Sequence, residues 1–136
     1  MIACQSDGCA PIIKAFEKGE RFAKKFENAS TIASGIRVPA AVGDFMILDA
    51  VRESGGIAIA AAESDIPKWM RTVCSQEGIS LCPESAVCFG ALETLLKRGT
   101  IKAKDRILIF NTAAAQKYPE AIKGDEFFDG EILLPP

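Results

Sequence analysis

Short apolar runs alternate along this chain with segments whose apolar residues return every three or four positions, and that alternation predicts strands and helices in turn. Ile2 to Cys4 reads as the end of a strand. Ala10 to Lys18 reads as a helix with Ile12, Ile13 and Phe16 on one side and Gly19 as its stop. Residues 19–42 carry no single period and are expected to form a connector with a loop. Helical spacing returns over Asp44 to Ser54, where Phe45, Ile47, Leu48 and Val51 share a face, and Gly55-Gly56 ends it. The run "GIAIAAA", Gly56 to Ala62, is apolar at both parities, the pattern of a strand buried on both faces. A helix follows to about Glu77, with Ser64 or Asp65 offering an oxygen to its first amides, Pro67 tolerated in its first turn and Gly78 as its C-cap. Ile79 to Cys82 is expected as a short strand or extended turn, Glu84 to Arg98 as a helix opened by Pro83, and "DRILIF", Asp105 to Phe110, as a last strand.

The order β-α-loop-α-β-α-β-α-β predicts an α/β fold: an open, mostly parallel sheet with helices on both faces and right-handed crossovers. One α/β domain is expected over residues 1–122, followed by a tail, 123–136. Phe127, Phe128, Ile132, Leu133 and Leu134 are expected to pack that tail against the domain or a partner. In such sheets ligands sit at the carboxyl ends of the strands. Asn111-Thr112 follows "ILIF" at such an end, so two small polar side chains stand where a ligand would, although the same pair could simply turn the chain.

Composition narrows the chemistry. The chain has 136 residues, enough for one domain with a core, and its 16 basic and 18 acidic residues leave a formal charge of −2. That balance argues against an electrostatic nucleic-acid or membrane-surface binder, and no apolar stretch is long enough to span a bilayer. A soluble, cytoplasmic protein is expected. There is no histidine, which excludes Ser-His-Asp and Cys-His catalysis within this sequence, and the five cysteines never fall in a C-x-x-C spacing, so no metal site is expected. Phosphate-binding fingerprints are absent; Ser54-Gly55-Gly56 follows a helix and reads as its cap. Of the carboxylates, Glu84 alone lies at a turn into a helix on the ligand edge of the sheet. No lysine sits in an apolar run that would depress its pKa enough for nucleophilic work, so no catalytic residue is assigned.

Three separated stretches, "QSDGCAPIIKAF", "ASTIASGIRVPAAVGDFMILDAVRESGGIAIAAAESDI" and "EGISLCPESAVCFGALETLLKRGTIKAKDRILIFNTAAAQKYPEA", together resemble the carboxyl-terminal part of threonine synthase. That family comprises pyridoxal-phosphate lyases of the tryptophan-synthase-β fold type. The resemblance implies pyridoxal phosphate as cofactor, a role in threonine biosynthesis and conversion of O-phosphohomoserine and water to threonine and phosphate. It also implies that Thr112 binds the cofactor, its hydroxyl meeting the pyridine nitrogen. A neutral hydroxyl does not force that nitrogen to be protonated, which moderates the ring as an electron sink. The Schiff-base lysine, the asparagine beside the ring and the glycine-rich phosphate loop belong to the upstream part of such enzymes. The chain is therefore expected to be inactive alone and to need a partner, either the missing amino-terminal half or a second copy. The alternative is a stand-alone α/β interaction module without chemistry.

Overall fold

The computed structural model describes residues 1–122. Two five-residue strands, β1 (Ile2–Ser6) and β2 (Ile57–Ala61), pair in parallel, with Ile2 opposite Ile57 and Ser6 opposite Ala61. The crossover between them carries α1 (Pro11–Glu17), an irregular connector with a 3₁₀ turn at Ser34–Ile36, and α2 (Asp44–Glu53). After β2 come a 3₁₀ turn (Glu63–Asp65), α3 (Ile66–Glu77) and α4 (Pro83–Lys97), then a non-helical segment leading to a 3₁₀ turn at Ala115–Lys117.

The period of two in the strands decides how the layers form. Ile57, Ile59 and Ala61 of β2 point with Cys4 into a core shared with Met70 and Val73 of α3 and Val87, Ala91 and Leu95 of α4. Ala58 and Ala60 point the other way with Ala3, against Ala10, Ile13 and Phe16 around α1. Small residues on this second face let α1 lie close to the sheet, while α2 packs on α1 through Leu48 beside Ile12 and Ala15. The architecture is thus α/β, a parallel sheet with helices on both faces. No helix among the described residues is long and apolar enough to cross a membrane.

Local chemistry explains the helix limits. Ala10 precedes α1 and has no side chain to cap it, so Gln5 reaches across from β1 and its Oε1 accepts from the Ile12 and Ile13 amides at 3.0 and 3.3 Å. Gly78 ends α3 in the left-handed region at φ 68°, and its N–H donates to the Cys74 carbonyl. The expected Ser64 or Asp65 cap is not formed: residues 63–65 take a 3₁₀ turn instead, and Asp65 adopts helical φ and ψ with no cap hydrogen bond.

Of the two forms expected for Ile79 to Cys82 the chain takes the extended turn, with Leu81 and Cys82 buried as core residues rather than paired in the sheet. The strand expected over Asp105 to Phe110 is absent among the described residues. A strand is made by hydrogen bonds to a neighbour, and this segment finds none: Leu108 is 78 % and Phe110 75 % exposed. The apolar residues identify a segment suited to a sheet, but pattern cannot supply the strand beside it. The tail contacts expected for Phe127, Phe128, Ile132, Leu133 and Leu134 lie outside the described residues.

Candidate functional site

The last residue of β1 and the turn after β2 bring polar side chains together across the carboxyl edge of the sheet. The Ser6 hydroxyl donates to Glu63, and the other Glu63 oxygen accepts from the Ile32 amide at 2.6 Å. The Glu63 N–H in turn donates to Asp7 Oδ1 at 2.9 Å. One carboxylate therefore ties β1, β2 and the crossover loop together. The Gly8 N–H donates to Ser6 Oγ at 3.1 Å, and a β-carbon at Gly8 would collide with the Ser30 carbonyl, so only glycine lets the loop approach β1 so closely. Ser6 is fully buried.

Glu84, in the first turn of α4, extends this network. Its Oε1 accepts from the Gly35 N–H at 2.7 Å, while Oε2 is buried and has no partner among the described residues. Nearby Tyr118 has its phenol pKa raised by partial burial first and by the Glu84 carboxylate second. Glu84, singled out by sequence, is thus in contact with the crossover loop at the sheet's ligand edge.

Thr112 sits in an arch held at both feet by the turn that opens α4. On one side Ser85 Oγ donates to the Phe110 carbonyl at 3.1 Å. On the other, the Ala115 N–H donates to Ser80 Oγ at 3.2 Å, and Ser80 Oγ donates to Gln116 Oε1 at 2.6 Å. Between these anchors Asn111 and Thr112 are exposed, and the Thr112 hydroxyl has no partner among the described residues. Sequence reasoning does not pick out Ser80 and Ser85. Their only signal is a position around Pro83, where a serine is also an ordinary helix-start residue.

A thiol pair lies between β1 and α4. Cys4 of β1 and Cys88 of α4 line one groove and interact with each other. The Cys4 contact lowers the Cys88 pKa to about 7 against an opposing effect of burial, whereas Cys4, hydrogen-bonded to Cys88 and desolvated, is raised. Every lysine among the described residues is exposed; Lys14 stands 4.0 Å from the centroid of the Phe26 ring, and Lys68 and Lys97 share Glu93. No group of three or more metal-ligating side chains occurs among the described residues.

A two-stranded parallel sheet covered by helices on both faces, with a polar carboxyl edge, is an α/β enzyme-like architecture. The chain belongs to the family of pyridoxal-phosphate dependent enzymes, whose model matches residues 1–113. Within it the chain is similar to threonine synthases. It is 35% identical over 121 residues to that of Methanocaldococcus jannaschii, covering 89% of this chain and 30% of the relative. It is 30% identical over 122 residues to that of Methanosarcina acetivorans, covering 90% and 30%. A solved threonine deaminase from T.th. shares the fold with a TM-score of 0.55 at 20% identity, over 73% of this chain and 34% of that one. The chain thus spans about 30% of the length of these two threonine synthases.

The family is pyridoxal-phosphate dependent, and the described residues fit one wall of such a site rather than a whole one. A Thr112 hydroxyl that is exposed and has no partner among the described residues is of the kind that suits a ring nitrogen. No enclosed lysine stands opposite it among the described residues.

Proposed function

We propose that this chain is the carboxyl-terminal portion of a threonine-synthase-like enzyme that converts O-phosphohomoserine and water to threonine and phosphate. Pyridoxal phosphate, when bound, supplies the electron sink for bond changes at the amino acid's α-, β- and γ-carbons, the γ-carbon losing phosphate and the β-carbon gaining the hydroxyl from water. The chain's own part is to hold Thr112. Its hydroxyl bonds the pyridine nitrogen without carrying charge, and the anchors at Ser80 and Ser85 fix where that hydroxyl stands. Fixing it beforehand matters because a contact left to order on binding would lose affinity to conformational entropy. The remaining wall, including the lysine, comes from polypeptide outside this sequence, so the chain alone turns nothing over.

The observation that carries this reading is the Thr112 arch, exposed but tied down at both feet. The test is a set of Thr112 variants in the chain combined with the rest of a threonine synthase. Thr112→Ser keeps the hydroxyl and is expected to retain phosphate release within a few-fold. Thr112→Val keeps the shape, loses the hydrogen bond and is expected to lower the rate about 10- to 100-fold, as loss of one or two neutral hydrogen bonds' worth of free energy would. Equal rates for wild type and Thr112→Val would remove Thr112 from the site.

The exposed apolar residues of 107–110 favour a second reading, a partner-binding module without chemistry. It predicts that Thr112→Val changes nothing in any assembly.

A further inference from the structure

Among the described residues one edge of the sheet, the outer side of β1, has no strand beside it. Met1 O accepts from the Ile57 N–H and the Asp7 N–H donates to Ala61 O, so odd-numbered residues of β1 direct their backbone groups at β2. The N–H groups of Ile2, Cys4 and Ser6, and the carbonyls of Ile2 and Cys4, therefore face away from β2, and no described strand pairs with them.

Two grooves border this bare edge, one on each face of the sheet. On the α4 face a groove of about 360 Å³ is lined by Ile2, Cys4, Cys88, Leu92, Ile107 and Phe110. On the α1 face a groove of about 300 Å³ is lined by Ala3, Gln5, Ile12, Ile36, Val38 and Ile47. The parity matches: even residues of β1 line the first, odd residues the second, and Cys4 borders both. An extended segment laid along β1 would send successive side chains alternately into the two grooves.

We propose that this edge is the docking slot for a strand of a second polypeptide, the rest of a threonine-synthase-like enzyme, with large apolar side chains at both parities. The inference rests on the reading above and adds where the partner joins. The occupant follows from size and length. Both grooves lie within the family-matched residues, while some 30% of the relatives' length is all that this chain spans, leaving most of such an enzyme to supply the strand. A second copy pairing through β1 would offer only Ala3 and Gln5 to one groove and leave it underfilled. The chain's own "EILLPP" has three apolar residues before two prolines, which have no N–H to give a ladder.

The experiment combines the chain with the part of Methanocaldococcus jannaschii threonine synthase that the alignment leaves unmatched. Light scattering reads the assembly, amide exchange reads Ile2, Cys4 and Ser6, and iodoacetamide reads Cys88. The expected result is a one-to-one complex in which those amides exchange about 100-fold more slowly than in the free chain and Cys88 is shielded. Cys4→Pro removes an N–H that β2 does not use, and Ile2→Lys places a charge on an exposed edge position; either is expected to abolish the complex while helical circular dichroism is kept. A complex with unprotected edge amides, or one untouched by Ile2→Lys, overturns the slot and leaves the enzyme reading standing. Failure to form a complex overturns the occupant and counts against that reading as well. Protection already present in the isolated chain overturns the proposal too: concentration dependence would identify a second copy, and loss on deleting residues 123–136 would identify the tail.

Discussion

Glu63 holds the ligand edge together with one side chain. Its carboxylate takes the Ser6 hydroxyl and the Ile32 amide, and its own N–H is held by Asp7. Glu63→Gln keeps the shape but replaces an acceptor at one oxygen by an N–H₂ facing a donor. The expected cost is about 1.5 to 3 kcal/mol, read as a lower urea midpoint at unchanged slope. Cys88 gives a second prediction at this scale. Its pKa lies at about 7, lowered from 9.0 by the Cys4 contact. Thiolate is the reactive form, so alkylation of Cys88 should rise through about pH 7, below the ordinary thiol range. Cys4→Ala removes the neighbour that stabilises the thiolate and should move the Cys88 midpoint upward, as peptide mapping across a pH series would show. Neither the Glu63 network nor the thiol pair is legible in the sequence. Each depends on residues far apart in the chain meeting in space, and periodicity reports only what lies within one element.

At the scale of elements, legibility followed whether an element's partner was local. All four α-helices lie within a residue or two of their expected limits, because spacing, Pro67, Pro83 and the terminal glycines are local signals. Gly78 shows the force of one such signal: at φ 68° a side chain is strained, and Gly78→Ala is expected to destabilise the chain by about 1 kcal/mol, measured by denaturant unfolding. The strand "GIAIAAA" was equally readable, since apolar residues at both parities match its burial from both sides. Asp105 to Phe110 has as strong an apolar run and yet is no strand among the described residues. Whether such a run pairs depends on the segment beside it, and β1's outer edge is bordered by grooves rather than by a hydrogen-bonded neighbour. The same segment still delivers Thr112 to the ligand edge, because Ser85 and Ser80 tie it to α4's opening turn instead of to the sheet.

For the whole molecule, the unfilled features belong together. Leu108 and Phe110 stand exposed, and among the described residues β1 has no strand on its outer edge and the Thr112 hydroxyl has no partner. Each is costly or idle in the described chain by itself, and the proposed assembly with further threonine-synthase-like polypeptide would use all of them. In the sequence only the motifs that resemble one portion of a threonine synthase point this way, since that resemblance places the Schiff-base lysine and the glycine-rich loop upstream. The bare edge itself is not legible in the sequence, because strand pairing depends on residues far apart in the chain meeting in space.

The central claim is that this chain contributes one wall of a pyridoxal-phosphate site and that the covalent anchor lies elsewhere. Its most direct test is borohydride reduction after titration with pyridoxal phosphate, followed by peptide mapping, on the chain alone and combined with the unmatched part of a threonine synthase. The account predicts scattered, substoichiometric labelling of exposed lysines on the chain alone, and one fully labelled lysine on the added polypeptide in the combination. A single lysine of this chain labelled to completion, with no second polypeptide present, would contradict it.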